Sequence, residues 1–285
     1  MYAITGITGN VGGAVARTLL AHGHAVRAVV RDEAKGKAWS DAGCEIAIAE
    51  MEDAAALTRA FTGAEGVFIL PPPNFDPTPG FPEARAVIDA VSRALAAARP
   101  ARVVCLSTVG AQATQSNLLS QRTLMEDALA ALPLPVTFLR PAWFLDNLAW
   151  DVAQAREQGV FASFLQPLDR PVPMVAAADV GRVAAELLAK EGTIERIVEL
   201  EGPERVSPNA IAAAFSTVLG RPVQAEAVPR ETWGSLFRAQ GMKDPMPRIQ
   251  MLDGFNEGWI TFEGDHAAVR KGEVGVVEVI RSLVR

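Results

Sequence analysis

Tyr2-Ala3-Ile4-Thr5-Gly6-Ile7-Thr8-Gly9-Asn10-Val11-Gly12-Gly13 is the stretch on which the fold turns. Its first residues are an apolar strand that stops at Gly6. From Val11 onward the apolar positions Val11, Val15, Leu19 and Leu20 recur at helical spacing, which predicts an amphipathic helix. Between strand and helix lie glycines three apart. That spacing allows a tight turn, close approach of backbone to a pyrophosphate, and close packing of helix on strand. The helix start then offers unpaired N–H groups to phosphate charge. As bare spacing GxxGxxG is weak; placed after a strand and opening a helix, it reads as a dinucleotide-binding turn. No Gly-Lys-Ser/Thr follows, so a Walker A loop is excluded.

Outward from this turn, strands and helices alternate. Strands are expected at residues 25–30, 45–49, 66–70, 102–107 and 136–139, with helices between them. Asp53 caps the helix that ends at Phe61, and Gly66 to Leu70 is continuously apolar, as a covered parallel strand requires. Pro71 to Pro82 holds six prolines and is read as irregular. The alternation predicts an α/β class: a Rossmann-type doubly wound parallel sheet with a smaller α/β C-terminal lobe. The expected division is a nucleotide-binding domain over 1–150, completed by elements from 176–200, and a smaller substrate or partner lobe over 151–285. Within that lobe, a helix is expected over 145–158, short strands over 161–165 and 172–175, and a helix from Asp179 to Leu188. Beyond these come a strand at 194–200, a Ser207-Pro208 helix start, a strand at 223–228, and a mostly helical final stretch.

Composition narrows the function classes. The 285 residues carry 27 Lys and Arg against 33 Asp and Glu, for a net charge of −6. A mildly acidic surface argues against a phosphate-neutralising nucleic-acid footprint. No run of 18 apolar residues suggests a membrane span, and the opening residues do not read as a signal peptide. Cys44 and Cys105 sit in apolar runs and are expected as small buried hydrophobes. A protein of the reducing cytoplasm is the expectation.

The end of the second strand carries Arg31, followed by Asp32 and Glu33. A guanidinium there can pair with a 2′-phosphate and favours NADP, whereas Asp32 reaching a ribose would favour NAD. The chain's one tyrosine, Tyr2, is at the far end of the first strand, so the Tyr-x-x-x-Lys acid of short-chain dehydrogenases is missing. His22, His24 and His266 form no metal-ligand spacing, and Ser107 has no Gly-x-Ser-x-Gly elbow. Arg122 and Glu126, four apart on a helix, are expected to form an ordinary surface pair. A pocket is expected from residues 70–75, 107–111 and 140–144, which supply apolar and aromatic surface suited to a flat, hydrophobic electron acceptor.

An ordered set of segments resembles the NmrA-like group of atypical short-chain dehydrogenase/reductases. The matching pieces are Gly6 to Gly12, Val29-Val30-Arg31, Phe61 to Phe68, Arg140 to Asn147, Ala178 to Ala184 and Glu201-Gly202-Pro203, spread over about residues 1–225. The resemblance implies that Gly6, Thr8, Gly9, Asn10, Val11 and Gly12 cradle the pyrophosphate and that Arg31 meets the 2′-phosphate. It implies that Leu70 and Pro71 pass the ribose, and that Ser107, Thr108, Val109, Pro141, Trp143 and Phe144 flank the nicotinamide. Phe75 joins the acceptor pocket. Arg122 stands where many relatives have lysine, where it can hydrogen-bond an oxygen of the ribose or substrate but is a poor proton donor. NADP(H) is the expected cofactor, with NAD as the alternative. The expected activity is hydride transfer from NAD(P)H to a quinone or azo-type acceptor; a non-catalytic NADP(H)-binding redox sensor acting through protein partners is the other reading.

Overall fold

The computed structural model describes residues 1–265 and 268–285. Its first half alternates without interruption: β1 (Tyr2–Ile4), α1 (Asn10–Ala21), β2 (Val26–Val30), α2 (Glu33–Asp41), β3 (Glu45–Ile48), α3 (Ala54–Phe61), β4 (Gly66–Ile69), α4 (Pro82–Ala98), β5 (Arg102–Leu106), α5 (Ser120–Ala130) and β6 (Val136–Pro141). The second half continues with β7 (Trp143–Phe144), a 3-10 turn (Leu145–Trp150), α6 (Val152–Gln158), β8 (Val160–Ser163), β9 (Met174–Val175), α7 (Ala177–Ala189) and β10 (Ile197–Glu201). After these come α8 (Pro208–Leu219), β11 (Gln224–Ala227), a short 3-10 turn (Arg230–Thr232), α9 (Trp233–Ala239), α10 (Met246–Glu257), β12 (Arg270–Lys271) and α11 (Val276–Val284).

The main sheet runs β3-β2-β1-β4-β5-β6-β10-β12, and every neighbouring pair is parallel. Parallel strands need crossovers, and the crossovers cover both faces. That is why β1 and β4 are buried at every position. One face packs α3, α4 and α5 around Leu57, Phe61, Val91 and Leu95; the other packs α1, α7 and most of the second half. Each fully buried side chain such as Phe61 contributes roughly 1.5–3 kcal/mol. The order reverses at β1, which has β2 on one side and β4 on the other. A crevice therefore opens there at the carboxyl ends of the strands.

Helix α7 lies directly on α1. The sequence permits this because Gly181 has no side chain: a Cβ there would overlap that of Ala14 and lie 2.9 Å from the Val15 nitrogen. Asp179, in the first turn of α7 and only 2% exposed, accepts the Glu273 and Val274 amides at 2.9 Å each. It thereby fastens the chain that leads from β12 into α11.

The doubly wound sheet stands as expected, and β10 joins it beside β6. Three expectations change. The helix expected over 145–158 is a 3-10 turn followed by α6. Asp146 turns its carboxylate to the Ala177 amide at 2.7 Å, a use of the side chain that competes with helix. The strand expected over 172–175 is shorter: Val172 makes only an isolated antiparallel bridge to Val206. Strand β12, two residues at the sheet edge, had no apolar signal to announce it. Both cysteines are buried and unpaired, and burial pushes the Cys105 thiol up to about 12. Among the described residues, no helix is long and apolar enough to cross a membrane.

Candidate dinucleotide and acceptor site

Gly6 leaves β1 with φ +63°, a conformation that side chains rarely adopt. The Gly9 amide bonds back to the Gly6 carbonyl at 3.0 Å, closing the turn. Gly12 faces that same carbonyl. A Cβ on Gly12 would overlap the oxygen and lie 2.6 Å from the carbonyl carbon, so the residue has no room for a side chain. Gly9 caps α1 without a side-chain bond, and no acid occupies the first turn. The opening N–H groups of α1 are therefore unclaimed by any carboxylate, and the positive end of the helix faces the crevice. Thr8, Gly9 and Asn10 are exposed around it, while Val11 is buried beneath. This turn and helix end fit a pyrophosphate.

Thr5, which sequence reasoning passed over, braces the turn from below. Its hydroxyl donates to the Phe68 carbonyl at 3.0 Å and accepts the Leu70 amide at 2.8 Å, tying the end of β4 to β1. Leu70 thus lies against Gly6, with its Cβ 3.1 Å from the position of an added Cβ.

Arg31 is exposed at the end of β2 and makes no ion pair among the described residues. Asp32 is engaged elsewhere, its carboxylate capping α2 and accepting the Lys35 amide at 2.9 Å. The acid that competed with Arg31 for the ribose is thus committed to the helix.

At the ends of β5 and β6 the Ser107 amide donates to Leu139 at 2.8 Å, and the Val109 amide to Pro141 at 2.9 Å. Thr108 is half-buried; Val109 is 1% exposed, so only its backbone is at hand. Ser107 gives its hydroxyl to Glu126 in a short bond. Arg140 forks onto the same carboxylate, Nε to Oε1 at 2.9 Å and Nη2 to Oε2 at 2.6 Å, and reaches Glu263 at 2.5 Å. Burial disfavours the Arg140 charge, but the pairing with Glu126 and Glu263 outweighs it and raises the pKa. Glu199 of β10 accepts the Glu263 and Gly264 amides at 2.7 and 3.0 Å. The network fastens the 263–264 segment onto the sheet.

The expected surface pair of Arg122 with Glu126 is not formed. Glu126 is buried and taken by Ser107 and Arg140, while Arg122 donates to the carbonyls of Pro71 and Pro72 at 3.2 and 3.4 Å. Burial pulls the Arg122 pKa down. Beside it a cleft of about 150 Å³ is lined by Glu52, Pro71, Pro72, Val87 and Arg122. The missed signal was charge inside strands: Arg140 in β6 and Glu199 in β10 are buried and had to find partners.

Trp143 and Phe144 are half-buried, and the Trp143 ring packs edge-to-face on Phe255 at 5.1 Å. Pro141 is buried. Phe75, in the proline-rich segment, is exposed and meets Trp150, a residue that had drawn no attention in sequence. Tyr2 is buried, donates to Glu65 at 3.2 Å, and lies at the amino end of its strand, away from the crevice. His22 is exposed, His24 packs on Tyr2, and His266 lies outside the described residues. Among the described residues there is no metal-ligating cluster.

Known proteins are similar to this chain in sequence and in fold. An NAD(P)H azoreductase of Xenophilus azovorans is 28% identical over 94% of the chain and 89% of its own length. Quinone oxidoreductase 2 of Escherichia coli is 26% identical over 86% of the chain and 83% of its own. A crystal structure of the NADPH-dependent quinone oxidoreductase of Escherichia coli, complexed with NADPH, superposes with a TM-score of 0.83. It covers all of both chains at 23% identity, a likeness of fold. The family model of the NmrA-like proteins matches residues 2–257, nearly the whole chain, and the protein belongs to the NmrA-like family.

Proposed function

We propose that this protein is an NADPH-dependent reductase whose acceptor is a quinone or azo compound. The observation that carries the reading is the glycine turn, where the exclusion of any side chain at Gly12 and the uncapped start of α1 leave a backbone cradle for a dinucleotide. The azo and quinone reductases among the relatives favour catalysis over redox sensing.

NADPH, when bound, supplies the hydride. The protein's residues bind and position. Gly6, Thr8, Gly9, Asn10, Val11 and Gly12 hold the pyrophosphate, and Leu70 and Pro71 border the ribose. Arg31 takes the 2′-phosphate, since Asp32 is held as a cap. The Ser107 to Val109 backbone, Pro141, Trp143 and Phe144 form the floor on which the reacting rings rest. Of the two hydroxyls that follow β5, Thr108 is too weak an acid, and Ser107 is tied to Glu126, which is itself held by Arg140. None of these groups hands over a proton readily, so in this reading the proton for the reduced acceptor comes from solvent. Electrophilic acceptors tolerate this, and orientation is the protein's main contribution. In this reading the parts of 151–285 outside the main sheet form the acceptor side of the site.

The test follows NADPH absorbance under anaerobic conditions with quinones and azo dyes, and NADH in parallel. Protein-dependent loss of absorbance, faster with NADPH, is the expected result. NADPH binding with no oxidation across the panel would overturn the reductase reading.

A further inference from the structure

Seven large hydrophobic side chains are exposed among the described residues, and Phe75 and Trp150 are the two aromatic ones. They are 50% and 65% exposed, yet their rings meet edge-to-face with centroids 6.1 Å apart. They come from distant parts of the chain. Phe75 belongs to the loop that leaves β4, and Trp150 ends the turn that leaves β7. The first loop leaves the carboxyl end of β4; the second follows β7, which pairs with β9 and starts two residues beyond the carboxyl end of β6.

The backbone around Phe75 is held on both sides. The Asn74 carbonyl accepts the Gln121 side-chain amide at 3.0 Å, and the Asn74 side chain accepts the Asp76 amide at 3.2 Å. The Asp76 carboxylate accepts the amides of Lys243 and Asp244, both at 2.9 Å, and these contacts hold its pKa down. Arg122 adds its two bonds to the carbonyls of Pro71 and Pro72. A loop so fastened at α5 and at the segment between α9 and α10 displays one large apolar ring, half in water. Core packing does not account for that ring. A fixed backbone presenting an exposed aromatic is a pre-organised contact for a planar ligand.

We propose that Phe75 and Trp150 are the two jaws of an aromatic clamp that holds the outer ring of a fused or extended planar acceptor. This rests on the reductase reading and specifies its acceptor class: polycyclic quinones and diaryl azo compounds rather than single-ring ones. In the resting state the jaws satisfy each other. A flat guest exchanges their edge-to-face contact for stacking on both rings.

The probes are 1,4-naphthoquinone and p-benzoquinone with wild type, Phe75→Ala, Trp150→Phe and Trp150→Ala, read by Trp fluorescence and by turnover. Naphthoquinone should quench the wild type saturably, and the part of the signal missing from Trp150→Phe should carry that quench. Phe75→Ala and Trp150→Ala should each raise KM for naphthoquinone about threefold to tenfold, with kcat and NADPH affinity unchanged and KM for benzoquinone moved less than about twofold. Equal changes for the two quinones, or none, overturn the clamp and leave the reductase reading standing. If neither quinone nor any azo dye of the panel is reduced, but the Trp150 quench saturates and is lost in Phe75→Ala, the reductase reading fails and the clamp stands as a binding site. No saturable Trp150 quench overturns the clamp whatever the turnover.

Discussion

The Asp32 carboxylate accepts the Lys35 amide at 2.9 Å and lies 3.6 Å from the Lys35 ammonium, while Arg31, its neighbour, is exposed and forms no ion pair among the described residues. Two residues that sequence alone leaves in competition for the same ribose are separated by one helix cap. Their substitutions should therefore separate too. Arg31→Ala is expected to weaken NADPH about 10- to 100-fold, the value of a charge-assisted bond, and to leave NADH within about twofold. Asp32→Ala is expected to lower stability by about 1 kcal/mol, the usual loss of a cap, with the preference for NADPH over NADH intact. Titration of both cofactors against both variants checks this. A collapse of NADH binding in Asp32→Ala would make that carboxylate a ribose ligand after all.

At the scale of elements, legibility follows distance along the chain. The β1–glycine–α1 unit was readable because every contact that shapes it is local: Gly9 to Gly6, Gly12 against Gly6. The pairing of Arg122 with Glu126 was misread for the complementary reason. Four residues apart on α5 they are neighbours, but Ser107 and Arg140, from two strands beneath, bury one of them and leave the other to the Pro71 and Pro72 carbonyls. The hold of α7 on the C-terminal segment is equally distant in sequence. Asp179 fits only because Gly272 has no side chain: a Cβ there would overlap its carboxylate. Beyond the two amides it pairs with Arg182 at 3.2 Å. Asp179→Ala should cost about 2 kcal/mol, because two part-buried amides and Arg182 lose a charged acceptor; Asp179→Asn, which keeps an acceptor oxygen, should cost less. Amide hydrogen exchange should speed up first at Glu273, Val274 and the start of α11. Helix α11 packs on the turn that ends in Trp150, so the loosened end of the chain reaches the acceptor side. Unchanged exchange at residues 273–276 would show that α11 is held by its apolar face alone.

Across the whole molecule the second half was the harder part to read, because its elements divide their allegiance: α7 and β10 join the sheet, while β8 and β11 pair with each other apart from it. Two carboxyl groups in this half set opposite responses to pH. Burial would raise the Glu201 carboxyl, yet Lys271 and Arg205 pull it below its ordinary value. Its contribution to stability is present above the unfolded carboxylate pKa and is lost as acid protonates it. Asp151 works the other way. It is half-buried at the junction of the 3-10 turn and α6, its side chain makes no hydrogen bond among the described residues, and burial pushes its pKa up to about 7. The native chain therefore holds this proton where the unfolded chain has released it, and native stability falls as pH rises from about 4 to about 7. With a carboxyl buried to this extent, the loss is on the order of 2–4 kcal/mol. Asp151→Asn removes the titration while keeping the shape. It should raise stability above pH ~7 by about 1–3 kcal/mol, less than the full loss because the amide is still buried without a partner, and change little near pH ~4. Urea unfolding of both proteins at the two ends of that range measures the difference. Equal changes at both ends would mean that the Asp151 carboxyl ionises as freely in the native protein as in the unfolded chain.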